Sequence, residues 1–225
     1  MKVLNFSQKG VSLIELLIAM TVTIIIVLAM SRVFITTGKV TEESSLGAGT
    51  DSTLMLGLIS IDKIMQSIGF GATTALAYSN NFAVLKADGT LAAKNTEAGP
   101  IFVWKTGSTC QALINETDGL NLYGGSAGYA CSGPTKPDTT ITTKTLLMPI
   151  KSKNTSINNT TNRVGEFEFK VHDVTNCTPF GIINSNPTTS DLSGKYAVEV
   201  IAYSYAASSE NIARPIRNTT CLLNP

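Results

Sequence analysis

Apolar and polar positions follow three regimes along the chain. From Val11 to Met30 the run VSLIELLIAMTVTIIIVLAM is apolar for 20 residues, broken only by Glu15 and small hydroxyl residues. As a helix at about 1.5 Å per residue it is roughly 30 Å long, the thickness of a bilayer core. After Arg32 polarity rises, but a helical period persists. Leu54, Leu58, Ile61, Met65 and Ile68 recur at spacings of 4, 3, 4 and 3, one apolar stripe on an amphipathic helix. The spacing predicts nearly continuous helix from Ser12 to Ile68, closed at Gly69. No proline precedes Pro100. Gly38, Gly47, Gly49 and Gly57 are the weak points, each costing about 1 kcal/mol relative to Ala. The stripe is read as packing against the protein's own sheet.

From Gly69 the pattern becomes that of strands and loops. Phe82–Ala87 and Pro100–Lys105 are short strand candidates, and Thr140–Ile150 is Thr-rich with an apolar centre at Leu146 to Met148. Gly165–Val174 alternates: Phe167, Phe169 and Val171 face one way, and Glu166, Glu168, Lys170 and His172 the other. Tyr196–Tyr205 alternates as well. Such segments are half-buried antiparallel strands. Polar loops separate them at Gly107–Thr109, Gly124–Gly128, Gly133–Asp138, Asn154–Asn162 and Asn184–Ser193. The fold class is α+β, a long N-terminal helix packed on an antiparallel sheet.

Charge narrows the function classes. Only 15% of the 225 residues are charged and the net charge is +1, against about 25% charged in an average soluble domain. From Ser44 onward 13 Lys and Arg face 13 Asp and Glu. A neutral head lacks the basic face that nucleic acid requires; Arg214 and Arg217 are a thin basic pair. One His in the chain leaves most triad, acid–base and metal chemistries without their parts. Lys2 and Lys9 precede the apolar run, which places the N-terminus in the cytoplasm.

Glu15 is the anomaly, because a carboxylate inside a spanning helix costs roughly 2.5–3.5 kcal/mol on insertion scales. The order Lys9, Gly10, Val11, Ser12, Leu13, Ile14, Glu15, then a long apolar run, resembles the type IV prepilin signal of pilins and of type II secretion pseudopilins. An ordinary signal peptide cut near Ala29 or Ser31, or a plain single-pass anchor, accounts for the apolar run but not for Gly10 with Glu15. The family usually has Phe where this chain has Val11.

The resemblance implies a pilin-like fold and the following organisation: a leader peptide over 1–10, a transmembrane and filament-core helix over 11–31, an amphipathic continuation over 32–68, and a β-rich head over 69–225. It implies that prepilin peptidase cuts between Gly10 and Val11 and methylates the new amine of Val11. It implies that Glu15 meets the N-terminal amine of a neighbouring subunit during assembly. A buried cation needs such a partner. The implied partners are membrane lipid, an assembly platform in the inner membrane, the major pilin and other minor pilins. The length leans toward a minor subunit. Leu58–Ala72, LISIDKIMQSIGFGA, is similar to the helix end of PilW-like minor pilins, though Asp62 is out of the usual place. A J-type pseudopilin is the alternative, followed by an adhesive or DNA-uptake pilin. The expected location is the inner membrane with the head periplasmic, then the pilus.

Cys110, Cys131, Cys177 and Cys221 all lie on the exported side, where an even count suggests two disulfides. Four cysteines admit three pairings; closing sequence neighbours, Cys110 with Cys131 and Cys177 with Cys221, is the simplest. No C-x-x-C spacing points to zinc. His172 reads as a solvated surface residue. The carboxylate pairs Glu42–Glu43 and Glu166/Glu168 read as surface, and Asp118, Asp138 and Asp191 form no dense metal-ligand pattern. The Gly124–Gly128 loop lacks a phosphate loop's pattern and its Lys. The sequons at Asn115 and Asn154 are expected by chance in so Asn- and Thr-rich a chain. No catalytic residue, cofactor or metal is assigned.

Overall fold

The structure is a computed structural model. It describes residues 12–69, 75–138, 141, 143–149, 165–177, 194–204 and 214–222. The chain divides into two units, Met1–Leu46 and Gly47–Pro225. One helix, α1 (Leu13–Gln66), contributes to both.

In the first unit every described side chain from Ser12 to Glu42 is exposed. That face holds Leu13, Ile14, Leu16, Ile25 and Phe34, side chains a water-soluble helix would bury. The hydroxyls in the run are satisfied by their own helix. Thr23 Oγ1 donates to the Ala19 carbonyl at 2.7 Å and Ser31 Oγ to the Val27 carbonyl at 2.8 Å, which is the arrangement lipid demands of a polar group. The helix is long and apolar enough to cross a membrane, and none of its apolar stretch is buried within the protein.

In the second unit the stripe Leu54, Leu58, Ile61, Met65 and Ile68 is buried. It packs on Phe82, Phe102, Leu113, Leu120, Phe167 and Phe169. The last turn tightens, with the Ile68 amide donating to the Met65 carbonyl at 3.0 Å. Gly69 then takes φ +88°, the left-handed C-cap for which glycine is suited. The helix runs unbroken through Gly57. Gly57 is buried, and a Cβ there would lie 2.8 Å from Met148 Sδ, so its bare backbone lets the sheet come close.

The head holds two antiparallel sheets rather than the single sheet expected. The first orders β1 (Phe82–Leu85), β2 (Ile101–Thr106), β3 (Thr109–Glu116), β4 (Gly119–Tyr123) and β6 (Lys144–Pro149), with β5 (Tyr129–Ala130) on β3. The second orders β7 (Phe167–Cys177), β8 (Gly194–Ser204) and β9 (Arg214–Cys221). A two-bond bridge between Gly99 and Phe169 joins them, at 3.0 and 2.8 Å. Strands β3, β4, β5 and β9 were not expected, and the first candidate strand ends at Leu85 instead of Ala87. Among Thr140–Ile150 the strand is Lys144–Pro149. The candidate loops Asn154–Asn162 and Asn184–Ser193 lie outside the described residues.

The first sheet is covered on both faces. Phe82, Val84, Phe102 and Trp104 face the helix. Ala83, Leu85, Ile101, Val103, Ala112 and Ile114 form a second apolar layer on the other side, under Tyr123, Tyr129 and Cys131. The second sheet buries Phe167, Phe169, Val171, Val198, Val200 and Ala202 on one face. Its other face is mostly polar.

Candidate functional site

The N-terminal segment supplies the candidate site. Gly10 and Val11 lie outside the described residues. Ser12 precedes the first helical residue, and its carbonyl accepts the amides of Glu15 at 3.0 Å and Leu16 at 3.2 Å. Ser12 therefore stands at the N-cap and Glu15 at the third helical position, the Ser-x-x-Glu arrangement of a capping box. Glu15 is exposed in the first turn of α1. At that end the helix dipole is positive, and a carboxylate there is favoured by about 0.3–1 kcal/mol. The position accounts for part of what makes a carboxylate tolerable at the head of an apolar run.

The cysteines form two disulfides, Cys110–Cys131 and Cys177–Cys221. The first fastens the segment after β5 onto the outer face of β3. The second joins the ends of β7 and β9, strands that flank β8 without touching each other in the ladder. Cys177 pairs with Gly194 of β8, and Cys221 with Ala197. The bond crosses the start of the central strand, and only a residue without a side chain fits under it. A Cβ on Gly194 would lie 2.5 Å from Cys221 Sγ and 2.8 Å from Cys177 Sγ, and would also run into the Leu222 carbonyl.

His172 is not the fully solvated residue expected. Its Nε2 lies 3.0 Å from Glu199 Oε2, and Arg217 Nη1 donates to Glu199 Oε1 at 2.6 Å. The register places all three on one face across β7, β8 and β9. Burial pushes the Glu199 carboxyl up, but the Arg217 and His172 hydrogen bonds outweigh it and hold it below its ordinary value. Arg217 is thus committed to a carboxylate within its own sheet, which works against a basic patch. Glu168 accepts from the Tyr203 hydroxyl at 3.0 Å.

A second polar group gathers at the β3–β4 hairpin. Lys144 Nζ contacts Glu116 Oε2 at 2.5 Å and Asp118 Oδ2 at 3.1 Å. Asn121 donates to Asp118 at 2.7 Å, and Tyr123 OH donates to Glu116 Oε1 at 2.6 Å. Burial, then the bond to Glu116, pushes the Tyr123 phenol up to about 12. Hydrogen bonds from Asn121 and Lys144 hold Asp118 below the ordinary carboxylate range. Among the described residues no three His, Cys, Asp or Glu side chains converge as a metal site. The hairpin itself carried a signal in Asp118-Gly119, a turn dipeptide between two apolar stretches. Asp191 and Asn154 lie outside the described residues, and the Asn115 side-chain oxygen is buried.

Comparison with known proteins gives one match. The family model described as the prokaryotic N-terminal methylation motif matches residues 5–31. No curated protein and no solved structure matches the chain. The match covers Gly10, Val11, Glu15 and the apolar part of α1 and nothing of the head, and it supports a type IV prepilin-like protein, either pilin or pseudopilin.

Proposed function

We propose that the chain is a minor type IV pilin of the PilW type, a structural subunit that primes filament assembly and sits in or near the tip. Prepilin peptidase cuts between Gly10 and Val11 and methylates Val11. The helix then anchors the subunit in the inner membrane, with the head in the periplasm. Assembly with the major pilin and other minor pilins, on the inner-membrane platform, moves the helix from lipid to filament core. The exposed apolar face of α1 remains out of water in both places, so transfer between them does not have to pay for hydrating it.

The observation that carries this reading is the methylation-motif match over residues 5–31. The position of Glu15 supports it. Cleavage after Gly10 leaves a cationic amine two residues before the first helical residue, Leu13. That is the positive end of the helix dipole, an unfavourable place for a cation. A carboxylate from a neighbouring Glu15 relieves both the charge and its burial, and it favours one axial register between subunits.

The test is the N-terminal peptide of the mature protein, taken from host membranes and read by mass spectrometry. A start at N-methylated Val11 is expected, and Gly10→Ala should block it. A start near Ser31, or an intact Met1, overturns the reading. Deletion of the gene should then reduce the number of surface pili; loss of protein secretion with normal piliation would assign the chain to the type II secretion machine instead.

A further inference from the structure

The two disulfides do not hold the head in the same way. Cys177 and Cys221 sit in strands that are each paired with β8 at eight positions, so both strands keep their ladders whether or not the sulfurs are joined. Cys131 has no such support. It follows β5, which pairs with β3 at two positions, Thr109 with Ala130 and Cys110 with Tyr129. From Cys131 to Asp138 the chain is a strap without helix or strand, laid on the outer face of the first sheet.

The strap borrows little from the sheet's backbone. Between Ser132 and Pro137 no backbone–backbone hydrogen bond reaches a strand among the described residues. The Thr135 amide turns back to the Gly133 carbonyl at 2.8 Å, and Pro134 and Pro137 have no amide hydrogen to donate. Two lysines fasten it instead. Lys105 Nζ donates to the Ser132 carbonyl and Lys136 Nζ to the Ala87 carbonyl, both at 3.0 Å. Ser132 and Lys136 are exposed, so water competes for both bonds and their net contribution is small. Tyr129 and Cys131 pack on the second apolar layer, and Pro134 and Pro137 are buried. The far end is not closely packed. A cavity of about 270 Å³ is lined by Lys136 and Pro137 of the strap and by Ile101, Ile114 and Tyr123 of the sheet. Side chains that face a void lack the dispersion contacts of close packing. The covalent bond is the strongest of these fastenings, and it can be reached from one side. Cys110 is fully buried, whereas Cys131 is half-buried.

We propose that Cys110–Cys131 is a redox latch: a dithiol reductant opens it, the strap from Cys131 to Asp138 lifts, and the apolar layer at Ile101 and Ile114 is uncovered while the second sheet stays folded. One thiolate of the dithiol attacks Cys131 Sγ. The bond between the two sulfurs breaks, and its electron pair leaves on Cys110, which takes up a proton. The second thiolate of the reductant then displaces Cys131 from the mixed disulfide. Cys131 takes up a proton, and the reductant ends as a disulfide, having given up two electrons. Oxidation closes the latch by the reverse path. The inference uses only the head and does not rest on prepilin processing.

The test uses the full chain in detergent micelles. Dithiothreitol is added, freed thiols are trapped with iodoacetamide over a time course, and the alkylated cysteines are located by mass spectrometry. Cys110 and Cys131 should be labelled at least about tenfold faster than Cys177 and Cys221, because access sets the exchange rate. Labelling of Cys177 and Cys221 first, or of both pairs at comparable rates, overturns the proposal. Hydrogen exchange then compares the wild type with Cys110→Ala/Cys131→Ala. The peptide carrying Tyr129 to Cys131 includes the Cys131 amide bonded to the Ser108 carbonyl. It should exchange at least about tenfold faster in the variant, with the peptide over Lys195 to Ser204 of β8 unchanged. Unchanged exchange at Tyr129 to Cys131 would mean that the strap holds without the bond. Faster exchange in both peptides would mean that the bond holds the whole head. Either result overturns the proposal.

Discussion

Gly194→Ala tests whether the Cys177–Cys221 bond and the central strand of the second sheet were built around each other. Gly194 is buried, and its backbone is not in the left-handed region. Alanine is therefore conformationally acceptable there, and any penalty comes from space. Three atoms compete for that space: both sulfurs, at 2.5 and 2.8 Å, and the Leu222 carbonyl oxygen. None is the far end of a flexible side chain. Overpacking of this kind costs about 1–3 kcal/mol. If the strain instead prevents the bond from closing, the loss is that of a loop spanning 44 residues, about 4 kcal/mol by chain entropy.

The assay is urea unfolding followed by the fluorescence of Trp104, the single Trp in the chain. It is 3% exposed and packs against Phe102 in the same core as Phe169. A loss of about 2 kcal/mol lowers the urea midpoint by about 1 M at a slope of about 2 kcal/mol/M. The decisive comparison is with Cys177→Ala/Cys221→Ala. There the two sulfurs are gone and only the Leu222 oxygen remains, so Gly194→Ala should cost less than in the wild type. The difference between the two penalties is the coupling between glycine and disulfide, expected within the range of about 0.5–3 kcal/mol for residues in contact. An equal penalty in both backgrounds would show that the sulfurs are irrelevant to the choice of glycine. No penalty in the wild type would show that the strand yields freely, and the packing argument would fail.

Glu15→Ala should be cut and methylated normally yet reach the filament fraction at a small fraction of the wild-type level; immunoblots of sheared pili read this, and unaltered incorporation would leave Glu15 as a capping residue alone. Ile61→Ala removes a fully buried side chain from the middle of the helix stripe and should cost about 2–5 kcal/mol in the same urea assay; Ile59→Ala, two positions away and exposed, should cost under about 0.5 kcal/mol. Glu199 is held below its ordinary value of 4.5 by Arg217 and His172 against the pull of burial, so its contribution is complete above pH 4.5 and is lost as pH falls through its lower folded value. Glu199→Gln should lower the urea midpoint at pH 7 and flatten its decline below pH 4.5; an unchanged acid slope would mean that other carboxylates carry it.

What could be read from the sequence was whatever depends on neighbours along the chain. The stripe from Leu54 to Ile68 needs only the helical period, and each of its members is buried. Phe167, Phe169 and Val171 alternate because β7 has one wet face and one dry face. Strand β3 escaped because both of its faces are covered: Ala112, Leu113 and Ile114 are buried in succession, and a two-sided burial leaves no period of two. Strand β9 escaped for the opposite reason. RPIRNTTC is polar and holds Pro215, which an edge strand tolerates and a propensity reading rejects. Nothing local to Gly194 says that a disulfide passes over it. Glu199 and Arg217 meet through the pairing of β8 with β9, a register that spacing does not reveal.

The same division runs through the function. A membrane and a processing peptidase meet the N-terminal segment as a linear string, so a positive leader, Gly10, Glu15 and an apolar run carry their meaning in order and spacing, and the motif match over residues 5–31 is confined to that string. The match leaves out the head. There the polar clusters are assembled from distant strands: Glu199 with His172 and Arg217, or Glu116 with Tyr123 and Lys144. The two disulfides constrain those assembled surfaces rather than the anchor, one at the end of β7 beyond its register shift and one beside the two-residue strand β5. Cross-links at such points resist local opening. The partner should therefore be sought by perturbing pairs of residues that the fold brings together, with the anchor left intact.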